Sequence, residues 1–311
     1  MKYVIALDVG GTGMKAALVG ADGALLHEAR RPTDRDSGPE AVTAAVLAFA
    51  ADLSTLGTER FGTEAAAAGV VVPGVLDEPA GVVRYAANLG WSDVPLRALL
   101  TAHLRGVPVA LGHDVRAGGL AEGRLGAGDG VDRFLFVPLG TGIAGALGIE
   151  GRVEAGAHGG AGEIGHVVVR PDGPLCGCGQ RGCLETLASA AAVGRAWAAV
   201  SGDPRATAAD AAAAVAAGHP RARAVWDDAV DALAAGLVTA LTLLDPRTLI
   251  IGGGLAEAGE TLFAPLRAAV QAKATFQRLP SIVPAALGDT AGCLGAGLLA
   301  WDLLSAEVSE L

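Results

Sequence analysis

The chain has 311 residues, 23 basic and 33 acidic side chains, and a formal net charge of −10, a length that allows roughly two domains of ~150 residues. It is 51% hydrophobic and 18% charged, which excludes a disordered chain, and the acidic balance argues against a nucleic-acid backbone or an anionic membrane as the main partner. The longest uncharged apolar run of the C-terminal half, Ala232 to Leu244, is shorter than the ~20 residues a bilayer needs. The first apolar run stops at Asp8 and is no secretory leader, so the chain reads as cytoplasmic.

In chain order, residues 3–8 read as a buried strand ending at Asp8, followed by the turn Gly10-Gly11-Thr12-Gly13 and a strand over 14–19. Asp22-Gly23 marks a turn and a third strand starts at Ala24. Ser37-Gly38-Pro39-Glu40 has the pattern of a capping box with Pro in the first turn, and predicts a helix to about Leu56. A strand over 68–72, a helix over 96–104 and a strand over 108–111 lead to His113-Asp114. The pattern then restarts: a strand over 134–139, Gly140-Thr141-Gly142, a strand over 143–149, the turn Glu150-Gly151 and a third strand at 152–153. A meander with a glycine–threonine first turn thus occurs twice, about 130 residues apart, which points to two related domains, since solenoid periods are shorter. Helices are predicted over 186–199, 207–217, 221–244 and from Gly254 to about Ala274, with strands over 248–251 and 282–287 and a last helix over 290–304. Strands alternating with helices indicate α/β architecture. The long stretch 156–185 has little periodicity, and such loops usually carry function.

Several groups in this frame can do chemistry. Asp8 ends a buried strand before Gly10, Gly11 and Thr12. Glycines let backbone N–H groups approach an anion, Thr adds a donor, and Asp8 is placed to hold Mg²⁺ through water. A tight hairpin turn is the plainer reading. The second loop, Gly140-Thr141-Gly142, favours a pair of phosphate-binding turns, and Gly252-Gly253-Gly254 offers bare backbone beside which an adenosine can lie. His166, Cys176, Cys178 and Cys183 give the pattern H-x9-C-x-C-x4-C. One imidazole and three thiolates make a closed tetrahedral zinc set, and clustered cysteines in a cytosolic chain favour metal over disulfides. Cys293, in an apolar stretch, reads as packing. Asp114 is either a general base or an N-cap for the next helix. Glu163 and Glu185 flank the cysteines, and His27, His103, His158 and His219 read as surface or loop residues.

Taken together the motifs resemble the ROK family of bacterial sugar kinases and repressors. The matching residues are Asp8-Val9-Gly10-Gly11-Thr12 with Lys15, Asn88-Leu89-Gly90-Trp91, His113-Asp114, Leu139-Gly140-Thr141-Gly142, Gly162-Glu163-Ile164-Gly165-His166, the block Cys176 to Glu185, and Ile250 to Gly254. The resemblance implies an actin-like, ribonuclease H-like fold of two α/β domains with an interdomain cleft. The domains are expected at 1–113 with 291–311, whose last helix returns to the N-terminal domain, and at 114–290. It also implies ATP-dependent phosphorylation of a hexose, most often glucose at its 6-hydroxyl. Asp114 then matches the base, and Asn88, Glu163, His166 and Glu185 match sugar ligands, His166 also binding a structural zinc. Asp8, Gly10, Gly11, Thr12, Lys15, Gly140, Thr141, Gly142, Gly253 and Gly254 match the ATP and Mg²⁺ site. Such proteins suggest a homo-oligomer, dimer or tetramer.

Two positions depart from the family pattern. His113 stands where Asn is usual, and Arg116 where a smaller or neutral residue is common. They leave glucose, mannose, fructose, N-acetylglucosamine and N-acetylmannosamine open as the sugar. A polyphosphate-using kinase and a non-catalytic sugar binder are further alternatives. A repressor is disfavoured by the acidic charge and by a first strand that begins at about Tyr3, which leaves no room for a helix-turn-helix.

Overall fold

The computed structural model describes residues 1–309; residues 310 and 311, the end of the expected segment 291–311, lie outside them. The chain divides into two compact units. The first holds Met1–Ala121, Ala155–Gly160 and the stretch from Asp289; the second holds Glu122–Glu154 and Ala161–Gly288.

The first unit opens with the meander β1 (Tyr3–Val9), β2 (Gly13–Gly20) and β3 (Leu25–Pro32), followed by helix α1 (Pro39–Phe61) and strand β4 (Ala68–Val72). Strands β5 (Val75–Asp77), β6 (Val82–Ala86) and β7 (Trp91–Val94) form a small antiparallel sheet that no periodicity in the sequence announces. Helix α2 (Leu96–His103), strand β8 (Val109–His113) and helix α3 (Asp114–Leu125) follow. The main sheet has the order β3-β2-β1-β4-β8, with β1, β4 and β8 parallel. Strand alternation sorts its two faces. Tyr3, Ile5, Leu7 and Val9 pack with Val42, Val46 and Phe49 of α1, whereas Val4 and Ala6 face the opposite layer, and Asp8 continues that second series.

Helix α1 is long and apolar enough by composition to cross a bilayer, but Val42, Val46, Phe49, Ala50 and Leu53 are buried in the core beneath it. The expected capping box does not form. Asp34 starts a 3-10 turn over Arg35–Ser37, the Ser37 hydroxyl donates back to Asp34 Oδ2 at 3.0 Å, and Gly38, at φ 96°, caps the helix. The helix also runs past Leu56, because Gly57 is buried where the Tyr3 ring lies against it, and ends at Gly62 with φ 69°.

The second unit repeats the plan. Strands β9 (Arg133–Pro138), β10 (Ala146–Ile149) and β11 (Arg152–Val153) form its meander, shorter at β10 than the expected 143–149. A 3-10 turn at Ile164–His166 interrupts the long loop. Helix α4 (Leu184–Ala188) and helix α5 (Ala190–Ser201) replace the single helix expected over 186–199, since the buried Ser189 accepts the Ala192 N–H and starts a new helix. Helix α6 (Ala208–Ala216) has a true capping box from Thr207 and Asp210. Helix α7 (Pro220–Leu244) is capped by His219, an exposed loop residue as expected, whose ring accepts the Ala222 N–H. Strand β12 (Thr248–Gly252), a 3-10 turn at Gly254–Ala258, helix α8 (Glu260–Lys273) and strand β13 (Ser281–Pro284) complete the unit. Its sheet order is β11-β10-β9-β12-β13, again a meander followed by two parallel strands.

Helix α9 (Ala291–Ser309) returns to the first unit, packing on β1, β4 and β8. Its run of small residues is what close approach requires: a Cβ on Gly69 of β4 would collide with the Ala296 carbonyl, and one on Gly295 with that of Ala117. The chain passes from one unit to the other four times: within α3, on either side of Ala155–Gly160, and at Gly288-Asp289. Glu122, fully buried in α3, accepts the backbone N–H groups of Ala127 (2.9 Å), Ala286 (3.1 Å) and Leu287 (2.8 Å), and so fastens the end of α3 to the strand end before Gly288.

Candidate active site and metal-ligand cluster

In the first unit, Asp8 pairs across the meander with Lys15, so both side chains emerge on one face. That face meets the start of α9: a Cβ on Gly292 would overlap the Asp8 carboxylate. Burial pushes the Asp8 pKa up to about 6, helped by the Asp114 charge and opposed by Lys15. Lys15 donates to the Asp289 carbonyl at 2.8 Å, and Arg30 holds the Asp289 carboxylate at 2.7 Å. The turn after Asp8 closes with Gly10 N–H donating to the Gly13 carbonyl at 3.0 Å, and the buried Thr33 hydroxyl donates to the Gly10 carbonyl. Gly11 lies against Asn88. Asn88 is set there by its neighbours: Leu89 and Trp91 are buried, Gly90 takes φ 69°, and the Trp91 indole donates to the Pro39 carbonyl at 3.1 Å.

Asp114 is the first residue of α3, directly after β8. Its Oδ1 accepts the Val115 N–H at 2.7 Å and lies 3.3 Å from His113 Nδ1. Asp114 is thus the first helical residue rather than a cap before it, with its half-buried carboxylate folded back on the next N–H. Burial raises the Asp114 pKa, while the Val115 N–H and the Arg116 charge pull it back.

In the second unit, Gly140 N–H donates to the Gly142 carbonyl at 3.0 Å and closes the second glycine–threonine turn. Ile143 N–H donates to Glu185 Oε2 at 3.1 Å, and Gly142 lies beside the same carboxylate. This is why β10 starts late: Ile143 bonds Glu185, and Gly145 N–H bonds the Gly162 carbonyl at 2.6 Å. Gly253, at φ 77°, sits on the Leu139 backbone, and Leu255 N–H donates to the Leu139 carbonyl at 3.1 Å. Gly140 and Gly254 both face open space, so the backbone at each is approachable.

The ligand atoms of His166, Cys176, Cys178 and Cys183 all lie within 4.8 Å of one another. His166 Nδ1 is 3.6 Å from Cys176 Sγ, and Cys178 Sγ is 3.7 Å from Cys183 Sγ. A tetrahedron with Zn–S of about 2.3 Å and Zn–N of about 2.0 Å has edges of about 3.5–3.8 Å, so the donor set fits a closed zinc site. The backbone N–H of Gln180 lowers the Cys178 pKa to about 7, favouring its thiolate. The His166 ring spans two tasks: Nδ1 faces Cys176, and Nε2 lies 3.8 Å from Glu163 Oε2.

Sequence patterns did not reveal three supporting residues: Thr33 under Gly10, Asp289 on Lys15, and Glu78, the partner of Arg116. None sits in a motif, and their partners are distant in the chain.

The ROK family profile matches residues 4–302. A glucokinase of Thermotoga maritima is 36% identical over 309 residues, covering 94% of this chain and 95% of the relative. Among solved structures, a ROK hexokinase from Thermus thermophilus superposes with a TM-score of 0.81 at 33% identity, over 98% of this chain and 99% of the other. A ROK glucokinase from Streptomyces griseus, in complex with glucose and AMPPNP, gives 0.83 at 30% identity over 96% and 99%. Similarity of this extent, on a chain whose two sheets repeat one strand plan, makes the protein a member of the ROK family with its actin-like ATPase fold.

Proposed function

We propose that the protein is an ATP-dependent hexose kinase that phosphorylates the 6-hydroxyl of glucose, with Asp114 as general base. The observation that carries this reading is the Asp114 carboxylate: one oxygen is fixed by the Val115 N–H at 2.7 Å, which leaves Oδ2 to receive a hydroxyl proton. Burial makes that carboxylate a stronger base than an exposed one. The full-length similarity to glucokinases supports the same chemistry.

In this mechanism Asn88, His113, Glu163, His166 and Glu185 bind sugar hydroxyls and orient the 6-hydroxyl toward Asp114. The hydroxyl oxygen attacks the γ-phosphorus in line, its proton passes to Asp114, and ADP leaves. Backbone N–H groups of Gly10, Gly11, Thr12, Gly140, Thr141 and Gly142 receive the phosphate oxygens, Lys15 adds a positive charge, and Gly253 and Gly254 accommodate the adenosine. Asp8 would hold the Mg²⁺ that accompanies ATP, through water, and that ion would neutralise phosphate charge. His166, Cys176, Cys178 and Cys183 would hold a structural zinc, since four protein ligands leave no open position, and with it bound the loop that presents Glu163, His166 and Glu185 would be held in shape. We place the protein in the cytoplasm, in glycolytic carbohydrate metabolism, as a dimer or tetramer.

A second reading, another hexose as substrate, is favoured by one residue. His113 adjoins the base and is buried, with a bulkier, titratable ring than the usual Asn. A coupled ADP-release assay over glucose, mannose, fructose and the N-acetylated hexosamines tests both. Highest kcat/KM for glucose supports the first reading, highest kcat/KM for another sugar the second, and no turnover of any hexose contradicts both.

A further inference from the structure

The segment Ala155–Gly160 belongs to the first unit although the chain on either side of it, Glu154 and Ala161, belongs to the second. One buried side chain ties this segment to the first unit. Arg116, on the first turn of α3 and only 8% exposed, donates through Nη1 to the Gly159 carbonyl at 2.8 Å and through Nη2 to Glu78 Oε1 at 2.6 Å. Glu78 is itself held in the turn between β5 and β6, where Arg97 donates to the carbonyls of Glu78 and Pro79. The guanidinium fork thus has one prong on the carboxylate of a residue whose backbone is anchored and the other on the loop.

Three residues beyond Gly159 the chain is anchored again. Gly162, at φ 96°, packs against Gly145, whose N–H donates to the Gly162 carbonyl at 2.6 Å. Only Gly160 and Ala161 lie between the two anchors, and three residue steps span at most about 10 Å. Glu163 follows immediately, and His166 ends the turn it begins.

We propose that Arg116 is a positioning residue for the hexose: clasped to Glu78, it fixes Gly159 and thereby the approach of the chain to Glu163 and His166. This rests on the kinase reading for what Glu163 and His166 bind, but the clasp itself does not. Arg116 acts through the loop and is not a group that touches the reacting atoms. A clasp on the sugar-side loop makes hexose affinity, and the ranking of hexoses, depend on a residue outside the ligand set. Lysine cannot reproduce it fully, because a single ammonium lacks the planar fork that spans both acceptors.

The test is steady-state kinetics and hydrogen exchange on the full chain with Arg116→Ala, Arg116→Lys, Glu78→Ala and the double variant Glu78→Ala/Arg116→Ala. For Arg116→Ala the hexose KM should rise about tenfold or more, the scale on which displaced binding groups act, with kcat on the pH plateau where Asp114 is ionised, and the ATP KM, within about twofold; the lost charge moves only the acid limb of the profile upward. Arg116→Lys should fall between wild type and Ala, and the double variant should be no worse than the more severe single. Amides of residues 155–163 should exchange faster in Arg116→Ala, with or without sugar. An unchanged hexose KM overturns the proposal, as does a common shift of kcat, both KM values and Tm, which marks a merely structural pair. Unchanged exchange over 155–163 also overturns it. Faster exchange confined to 155–163, in a protein that turns over no hexose, supports the clasp and counts against the kinase reading.

Discussion

Glu185 Oε2 accepts the Ile143 N–H at 3.1 Å, and so joins a carboxylate matched to sugar binding with the turn Gly140-Thr141-Gly142 matched to phosphate binding. The bond is local in space and 42 residues apart in sequence. Under the kinase reading, one side chain then reports on both substrates.

Glu185→Ala should therefore raise the KM for hexose and for ATP together. An orphaned, partly buried N–H costs about 1–3 kcal/mol, or about 5–150-fold in an equilibrium constant. Glu185→Gln keeps an acceptor for Ile143 and should spare ATP while still weakening the sugar. A matrix of initial rates over both substrates checks this. Normal ATP kinetics in Glu185→Ala would remove the link.

Purified protein should carry about one zinc per chain, and Cys183→Ser should lose most of it. Cys183 is fully buried, yet the second unit has a large core of its own around Trp226, Leu237 and Ile251. Loss of metal should disorder the 167–183 loop and weaken hexose binding without unfolding the chain, even though structural zinc is worth about 10–16 kcal/mol of binding in small peptides. Metal analysis with thermal unfolding separates the two outcomes; active enzyme with no zinc contradicts the assignment.

Glu122→Ala removes the shared acceptor of three backbone N–H groups from a fully buried position. Destabilisation of about 2–4 kcal/mol is expected, since unsatisfied buried donors cost about 1–3 kcal/mol each and relaxation recovers part. Urea unfolding measures it. A loss below about 0.5 kcal/mol, the range of ordinary surface substitutions, would show that the three bonds are unimportant.

How much of this was legible in the sequence follows from distance along the chain. The twin meanders, the glycine–threonine turns and the cysteine block are local patterns, each set by a few neighbouring residues, and strand alternation alone sorts Asp8 onto the face of Val4 and Ala6. The capping box at Ser37 misled because a left-handed Asp34 starts an earlier turn, which no propensity reports. The sheet β5-β6-β7 has strands of 3, 5 and 4 residues, too short for a readable period. Lys15 finds Asp289 across 274 residues, Glu122 finds Leu287 across 165, and Arg116 finds Gly159 across 43. Such pairs exist only once the sheets have formed.

The Asp114 pKa also has a signed consequence. Burial raises it from the ordinary 3.8, so the acid limb of the kcat/KM profile should lie above that value, rate being lost as pH falls and the base protonates. The stability effect has the opposite sign. The folded state holds this proton more tightly than the unfolded chain, so stability falls as pH rises from 3.8 through the folded pKa. Asp114→Asn should consequently melt higher than wild type at neutral pH, as measured by Tm without ligands; a lower Tm at neutral pH would contradict a buried, charge-penalised carboxylate.

The central claim is that Asp114 takes the proton from the sugar hydroxyl, and the most direct measurement pairs glucose binding by calorimetry with single-turnover phosphoryl transfer in Asp114→Asn. The account predicts near-wild-type glucose affinity with transfer slowed about 10²–10⁴-fold, the usual cost of losing a general base. Wild-type transfer in Asp114→Asn, with glucose bound, would contradict it.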